Sequence, residues 1–451
     1  MHLSAVGMIE RTEEIPNAGT FDVIICGGGP AGVGAAIAAG RSGVKTLLVE
    51  RLGQLGGTGT GAGVVNWCDS DGGPVFDELF RRCAEFGKAE FRYNPDHFRK
   101  PGRARFDTEA IKSLSLKMVL DAGVEVLFLT FAESAWMDED TVRGVFTVNK
   151  GGRSLYQCKI VIDATADGDI AASAGAEFLK GDPDDGRLQH CNFRYWIVNV
   201  DDERFEEGKP DVEELKRLLR QAQEDGELHP PRNLFQPPAE HFPMSSVSNR
   251  LDINNWELEN IDPTDPVAVS RTLAHCQVAA FELIQFCRKN LPGYENCEIR
   301  KFPDFLGTRE SRRIVGQYIL TRDDVLAAKK FEDGIARAWF YMDLHDSPPG
   351  TTLPHSPEFK KAHRPPDDDW YEIPYRCLVP RDIRGLLIAG RCISCDREAH
   401  GSLRIMPTCM FTGTAAGSAA ALAVAEGALP HELAGARVRE KVMDDPSVLS
   451  R

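Results

Sequence analysis

The chain lacks most of what would set it apart from an ordinary globular fold. Apart from one Cys392-x-x-Cys395, its twelve cysteines show no paired spacing, so the expectation is a cytoplasmic protein with reduced, buried thiols rather than a disulfide framework. Positive charge is short: 53 Lys and Arg stand against 68 Asp and Glu, a formal net charge of −15. That excess of acid argues against a nucleic-acid surface and against a basic membrane patch. It leaves room for a local cluster of arginines inside a site. No apolar run approaches the roughly eighteen residues of a spanning helix. Met1 to Thr20 carries acids and a proline but no apolar h-region, so no secretory signal is expected. No HExxH or comparable spacing of metal ligands occurs, and no metal is expected. Internal repeats and low-complexity tracts are absent as well.

What is present begins at Asp22. Val23 to Cys26 is a continuous apolar run, the pattern of a parallel strand buried on both faces. It leads into Gly27-x-Gly29-x-x-Gly32 and an Ala-rich helix that opens on Pro30 and Ala31. Lys45 to Glu50 is a second such strand, ending in an acid. In this order Gly27 makes the tight turn, Gly29 lets backbone approach a pyrophosphate, and Gly32 permits close helix–strand packing. The helix N-terminus offers free N–H groups to the phosphates, and Glu50 is placed to accept from ribose hydroxyls. The reading is a dinucleotide site. The loop 53–63 then carries six glycines in eleven positions, which suggests backbone pressed against a flat ligand. A flexible linker is the alternative.

Helical spacing recurs from Pro74 to Gly87 and over Thr108 to Ala122, the latter with Asp107 as N-cap and Gly123 as stop. Strands are expected at Val124–Thr130, Val142–Val148 and Ser154–Asp163, the last two joined by Asn149 to Gly152. A long helix is expected near Pro266–Asn290, a further buried strand within Arg384–Arg391, and an Ala-rich helix from Pro407 to Gly427. The fold class expected is α/β, a discontinuous Rossmann-like nucleotide domain with an inserted α+β substrate or cap domain. The boundaries expected are an arm 1–20, nucleotide-domain parts 21–178 and 377–430, the insertion 179–376, and a tail 431–451. No second Gly-x-Gly-x-x-Gly follows a strand, so no built-in NAD(P)H domain is expected.

Several ordered motifs carry a family resemblance: Cys26 to Gly32, Glu50-Arg51 with Leu55-Gly-Gly-Thr58, and Asp163-Ala-Thr-Ala-Asp-Gly-Asp169. To these add Arg309 to Gly316, Ile373 to Arg376, Leu387 to Arg391 and Ala399-His-Gly-Ser-Leu-Arg404. Together they resemble the FAD-dependent oxidoreductases of the glutathione-reductase-type fold, relatives of the succinate dehydrogenase and fumarate reductase flavoproteins. The resemblance implies that Glu50 holds the adenosine ribose and that Gly27, Gly29 and the following helix hold the pyrophosphate. It places Arg51, Gly56, Gly57 and Thr58 along the cofactor. It also places Ala164, Thr165, Asp169, Gly390 and Arg391 where the chain closes over it. The N-terminus of the Pro407 helix should present the N–H groups of Thr408 and Cys409 to the flavin edge. Covalently flavinylated relatives carry a histidine in the glycine loop. None lies between Gly53 and Gly63, so non-covalent FAD is expected.

His400 and Arg404 resemble the His-Gly-x-x-Arg segment of fumarate reductase flavoproteins, with His400 as acid/base or orienter and Arg404 as anion anchor. Ile405-Met-Pro-Thr departs from the Gly-Gly-Asn-Ser that follows there, which puts a dicarboxylate substrate in doubt. Arg309, with Glu310, Arg312 and Arg313 nearby, suits either anion recognition or an interdomain ion network. His345 is read as a pocket-rim catalytic candidate or a bystander, and Tyr375 and Arg376 likewise. Cys392-x-x-Cys395 has no second pair and no thioredoxin-like context. It reads as buried thiols, a disulfide relay to the flavin being the alternative. The function expected is hydride transfer between a small polar, anionic or hydroxylated metabolite and flavin N5, with an external electron acceptor or donor left open. Rival readings are an oxidase or monooxygenase using O₂ and a flavoprotein electron-transfer subunit. Homo-oligomer formation is left open.

Overall fold

A computed structural model describes residues 10, 12–87, 89–90, 104–231, 234, 252–346 and 356–443. The first nine residues of the expected arm, the loop 348–350 and residues 444–451 of the expected tail lie outside the described residues.

A seven-stranded sheet organises the chain. Asn17–Cys26 is flanked in parallel by Thr46–Val49 and by Gly152–Asp163. Val23, Ile24, Ile25 and Cys26 are each 0% exposed, as a continuous apolar strand covered on both faces should be. Glu125–Leu127 extends one side, and Leu386–Ile388 pairs in parallel with Gly152–Asp163 from more than two hundred residues away in sequence. Phe131–Asp138 and Thr141–Asn149 complete the sheet as antiparallel strands.

Three expectations need adjustment. Asn17–Thr20, read as part of an arm, already belongs to the first strand, because Asn17 pairs with Leu155 and Gly19 with Tyr156. Only Glu125–Leu127 of the Val124–Thr130 run is strand. The following strand, Phe131–Asp138, was not expected; its pattern is largely half-buried and so lacks a clean apolar run. The helix Met406–Glu426 is, by length and composition, apolar enough to cross a membrane, with a best-window mean hydropathy of 1.3. In the fold, 83% of that window is buried.

That burial is what shapes the site. Met406–Glu426 lies against Pro30–Arg41 at backbone contact: a Cβ on Gly413 would stand 2.0 Å from the Ala31 carbonyl oxygen. Small residues on both helices permit the approach. Their N-terminal ends, Pro30–Ala31 and Ile405–Met406, line one cavity.

A second hydrophobic core gathers around the sheet formed by Cys191–Val198, Asp252–Leu258 and Glu298–Lys301. The helix Pro266–Asn290, N-capped by Asp265, packs Leu283, Ile284 and Phe286 into it. Ile314, Ile335 and Tyr371, all within the expected insertion, lie in the first core instead.

Candidate active site

Two adjoining cavities run along the carboxyl ends of the parallel strands, the usual place for a ligand in an open α/β sheet. The smaller, about 110 Å³, is lined by Gly27, Glu50, Arg51, Gly57 and Thr165, among others. The larger, about 530 Å³, lies over the ends of the two packed helices. Gly29, Pro30, Thr58, Ala164 and Arg391 line both, so the two form one continuous groove.

The groove is built mostly from backbone. Gly27 sits at φ +101°, and a Cβ there would stand 2.4 Å from the Ala164 carbonyl oxygen. Gly29 is different. Its φ is −71°, open to any residue, and a Cβ would meet nothing closer than Gly57 Cα at 3.9 Å. Packing does not require glycine here; the space in front of it does. Glu50, 6% exposed, accepts from the N–H groups of Gly28 at 2.6 Å and Leu52 at 2.7 Å. Burial raises its carboxyl above the ordinary range, against these two hydrogen bonds. Neither the Pro30 helix nor the Met406 helix has a side-chain cap, leaving N–H groups at both ends for a ligand. A buried acid, an uncovered glycine turn and uncapped helix ends fit a dinucleotide whose second ring system reaches the larger cavity.

A family model described as FAD dependent oxidoreductase matches residues 22–442. The chain belongs to this family. FAD is its cofactor, and when bound supplies two-electron redox chemistry. A tRNA uridine 5-carboxymethylaminomethyl modification enzyme from Alkaliphilus metalliredigens is 31% identical over 166 residues, which cover 32% of this chain and 24% of that protein. This chain therefore spans about a quarter of that relative. Among solved structures, a geranylgeranyl bacteriochlorophyll reductase-like protein from Thermoplasma acidophilum is 13% identical with a TM-score of 0.43, covering 94% of this chain and 83% of the other. The p-nitrophenol 4-monooxygenase of Pseudomonas putida is 11% identical with a TM-score of 0.44, covering 94% and 84%. Neither likeness bears on the substrate.

Within this FAD-dependent oxidoreductase, most residues expected along the cofactor line one cavity or the other. Gly32, Gly56 and Thr408 do not. Gly32 packs against the Gly27 carbonyl oxygen, and the Gly56 N–H braces the Gly28 carbonyl at 2.8 Å. Thr408 is 0% exposed, with its hydroxyl on Ser70. Cys409 lines the cavity, but its N–H already donates to Ile405 O at 2.9 Å and is not offered to a ligand. Asp163 is fully buried and accepts from Thr165 N, Thr165 Oγ1 and Ala171 N; burial pushes it up to about 6. Arg391 is held by Asp167, and Asp169 by Arg312.

Of the four catalytic candidates, Arg309, His345 and Arg404 line the larger cavity, whereas His400 lines neither. His400 is 1% exposed and meets Gln189 Nε2 at 3.3 Å through Nδ1. Burial, then the guanidinium groups of Arg313, Arg404 and Arg391, hold it well below the ordinary imidazole value. Acid/base work at the cavity is therefore not its place. His400 and Arg404 lie four residues apart and leave the chain on one side, but the short imidazole stops among packed groups while the longer arginine reaches the cavity. Arg404 donates to the Asp343 carbonyl at 2.7 Å. Arg309 donates to His190 O at 2.6 Å and to Glu257 Oε1 at 2.8 Å.

Its sequence neighbour Arg313 pairs with the fully buried Glu310. Elsewhere, Tyr375 and Arg376 are engaged by Pro430 O and Asp333. Missing from the sequence reading were Arg194, Glu257, Tyr341, Asp343 and Lys360, all lining the cavity. The spacing Tyr341-x-Asp343-x-His345 was a usable signal, since three polar side chains at every second position mark one face of an extended segment.

Proposed function

We propose that the enzyme oxidises or reduces a small anionic metabolite held in the 530 Å³ cavity, with non-covalent FAD in the adjoining groove. The observation that carries this reading is charge. In a protein of net charge −15, the described lining of this cavity contains Arg194, Arg309, Lys360, Arg391 and Arg404 against only Glu257 and Asp343. The volume suits a ligand of metabolite size. Arg404 and Arg309 anchor the anion, their planar groups being matched to carboxylate or phosphate. Tyr341, whose hydroxyl donates to Asp343 Oδ1 at 2.9 Å, stands on the same cavity wall.

The test is an anaerobic screen of carboxylate, phosphate and neutral polyol metabolites against the FAD-loaded protein, following bleaching of the flavin band. Anionic compounds should bleach it and neutral ones should not. Bleaching by neutral compounds alone would overturn the reading. A strict need for NADPH before oxygen reacts would place the enzyme among monooxygenases.

A further inference from the structure

Five cationic side chains belong to the described lining of the larger cavity, and four of them are already engaged. Arg309 stands 2.8 Å from Glu257, Arg404 3.5 Å from Asp343 and Arg391 2.5 Å from Asp167. Arg194 has a partner as well. Lys360 is the exception. Among the described residues no carboxylate lies within ion-pair distance of its ammonium. The group it meets is the ring of Tyr341, with Nζ 5.3 Å from the centroid.

The local fold turns this lysine inward. Ser356 caps the short helix Pro357–Ala362 by accepting from the Phe359 N–H at 3.1 Å. Where the helix ends, the Met342 N–H donates to His363 O at 2.7 Å, which fastens the helix to the segment carrying Tyr341 and Asp343. Successive residues of a helix point about 100° apart. Lys361 is accordingly 75% exposed and reaches Asp367 at 4.0 Å, and neither of these lines the cavity. Lys360 is half-buried and does. No residue of the helix is buried, so the core does not require a lysine at this position.

The two kinds of cation differ electrically. A guanidinium facing a carboxylate can still donate hydrogen bonds to a ligand, but its charge is balanced where it stands. An ammonium over an aromatic face is held by the ring quadrupole, a weaker attraction than a full negative charge exerts. An incoming anion therefore displaces no carboxylate from Lys360, and the flexible four-carbon stem carries the head from ring to ligand. We propose that Lys360 sets the charge selectivity of the cavity. Its ammonium leaves the Tyr341 ring for the carboxylate or phosphate of the substrate, and the paired arginines orient that group by hydrogen bonding. The proposal rests on the anionic-substrate reading above.

The test labels Cys68, which lines the same cavity and is the one cysteine that is not buried. Iodoacetate and iodoacetamide form the same S–C bond with loss of iodide and differ by one negative charge. Their rate ratio at Cys68 in the FAD-loaded protein is divided by the ratio for a small neutral thiol. The quotient cancels the reactivity of the thiol itself and reads the preference of the cavity for an anion. The unmodified protein should favour iodoacetate. Lys360→Met should lose about tenfold of that preference at unchanged FAD content, Lys360→Arg should keep most of it, and Lys361→Met should keep all of it. An unchanged ratio in Lys360→Met overturns the proposal. So does an equal fall in Lys361→Met, which would assign the effect to the general field of the surface. Should neither reagent react at Cys68, oxalate titrated against the flavin spectrum makes the same comparison. Binding about tenfold weaker in Lys360→Met supports the proposal, and equal binding overturns it. No preference for iodoacetate and no oxalate binding in the unmodified protein would sink the anionic-substrate reading. A preference that is present but indifferent to Lys360 sinks the role of this lysine alone.

Discussion

The two halves of the groove are made from different materials. The side proposed for the cofactor is backbone: a glycine turn, uncapped helix ends and one buried acid, Glu50, tied to two N–H groups. The side proposed for the substrate is side chains: guanidinium, imidazole and carboxylate groups delivered by segments as distant as Arg194, Glu257, His345 and Arg404. Backbone donors are held by the sheet and helices that carry them, so they tolerate little added volume. Side-chain anchors hold one another, so they tolerate little change of charge. The cofactor side should fail sterically and the substrate side electrostatically.

The largest effect is expected at Gly29. A Cβ there meets no protein atom within 3.8 Å, so Gly29→Val should leave the apoprotein's melting temperature within a few degrees. It should also weaken FAD on the order of a thousandfold, about 4 kcal/mol, because its methyl groups occupy the space expected for the pyrophosphate. Flavin absorbance per mole of protein, with a thermal melt, reads both. Gly32→Ala is the counterpart: its Cβ would stand 1.7 Å from the Gly27 carbonyl oxygen, so folding itself should fail. FAD retained at full affinity in Gly29→Val would break the comparison.

Next in size is Arg404→Met, which keeps the length of the chain and removes the charge. Once the metabolite screen supplies a substrate, KM should rise on the order of thirty- to a hundredfold, about 2–3 kcal/mol, with FAD content unchanged. Loss of FAD instead would mean that the arginine serves the cofactor and not the substrate.

Opposite pH signatures sharpen the contrast. On the cofactor side, burial pushes Asp163 up to about 6 from 3.8. A carboxyl raised in the folded state takes up its proton there first, so its contribution to stability grows as pH falls from above 6 to below the ordinary value, by roughly 3 kcal/mol. On the substrate side Asp343 is depressed. Its contribution is present above the ordinary carboxylate value and is lost as pH falls below it. In melts across a pH series, the gap between the unmodified protein and Asp163→Asn should widen on acidification. The gap to Asp343→Asn should narrow. Gaps that move together would remove the distinction.

The same difference in material decides what the sequence showed. Backbone sites need glycines and helix starts at fixed spacing, so the groove lined by Gly27, Gly29, Glu50, Gly57 and Thr58 could be placed from sequence, as could most of the sheet, Phe131–Asp138 excepted, and the helices Thr108–Asp121 and Pro266–Asn290. Side-chain sites are assembled by tertiary approach. Nothing in Asn255-Trp-Glu257 marks Glu257 as the partner of Arg309 fifty residues away, or of His345. His400 was misread for a related reason: motif spacing gives the side of a helix a residue leaves from, not how far its side chain reaches.

The smallest effect is expected where the sequence offered a redox motif. Cys392 and Cys395 are free and 0% and 1% exposed. Their sulfurs face the Ala389 and Ile393 carbonyls at 3.7 and 3.5 Å, and burial pushes both thiols up. Thiol–disulfide exchange needs a thiolate and an approach path, and these two have neither. A Cys392→Ala/Cys395→Ala double variant should keep its FAD and turn over within about twofold of the unmodified enzyme, at a stability cost of about 1–2 kcal/mol from lost packing. Native thiol titration should reach Cys68 first, since all the other cysteines are buried. A fall in turnover beyond tenfold with FAD retained would restore the disulfide relay and give the cofactor side a chemical side chain after all.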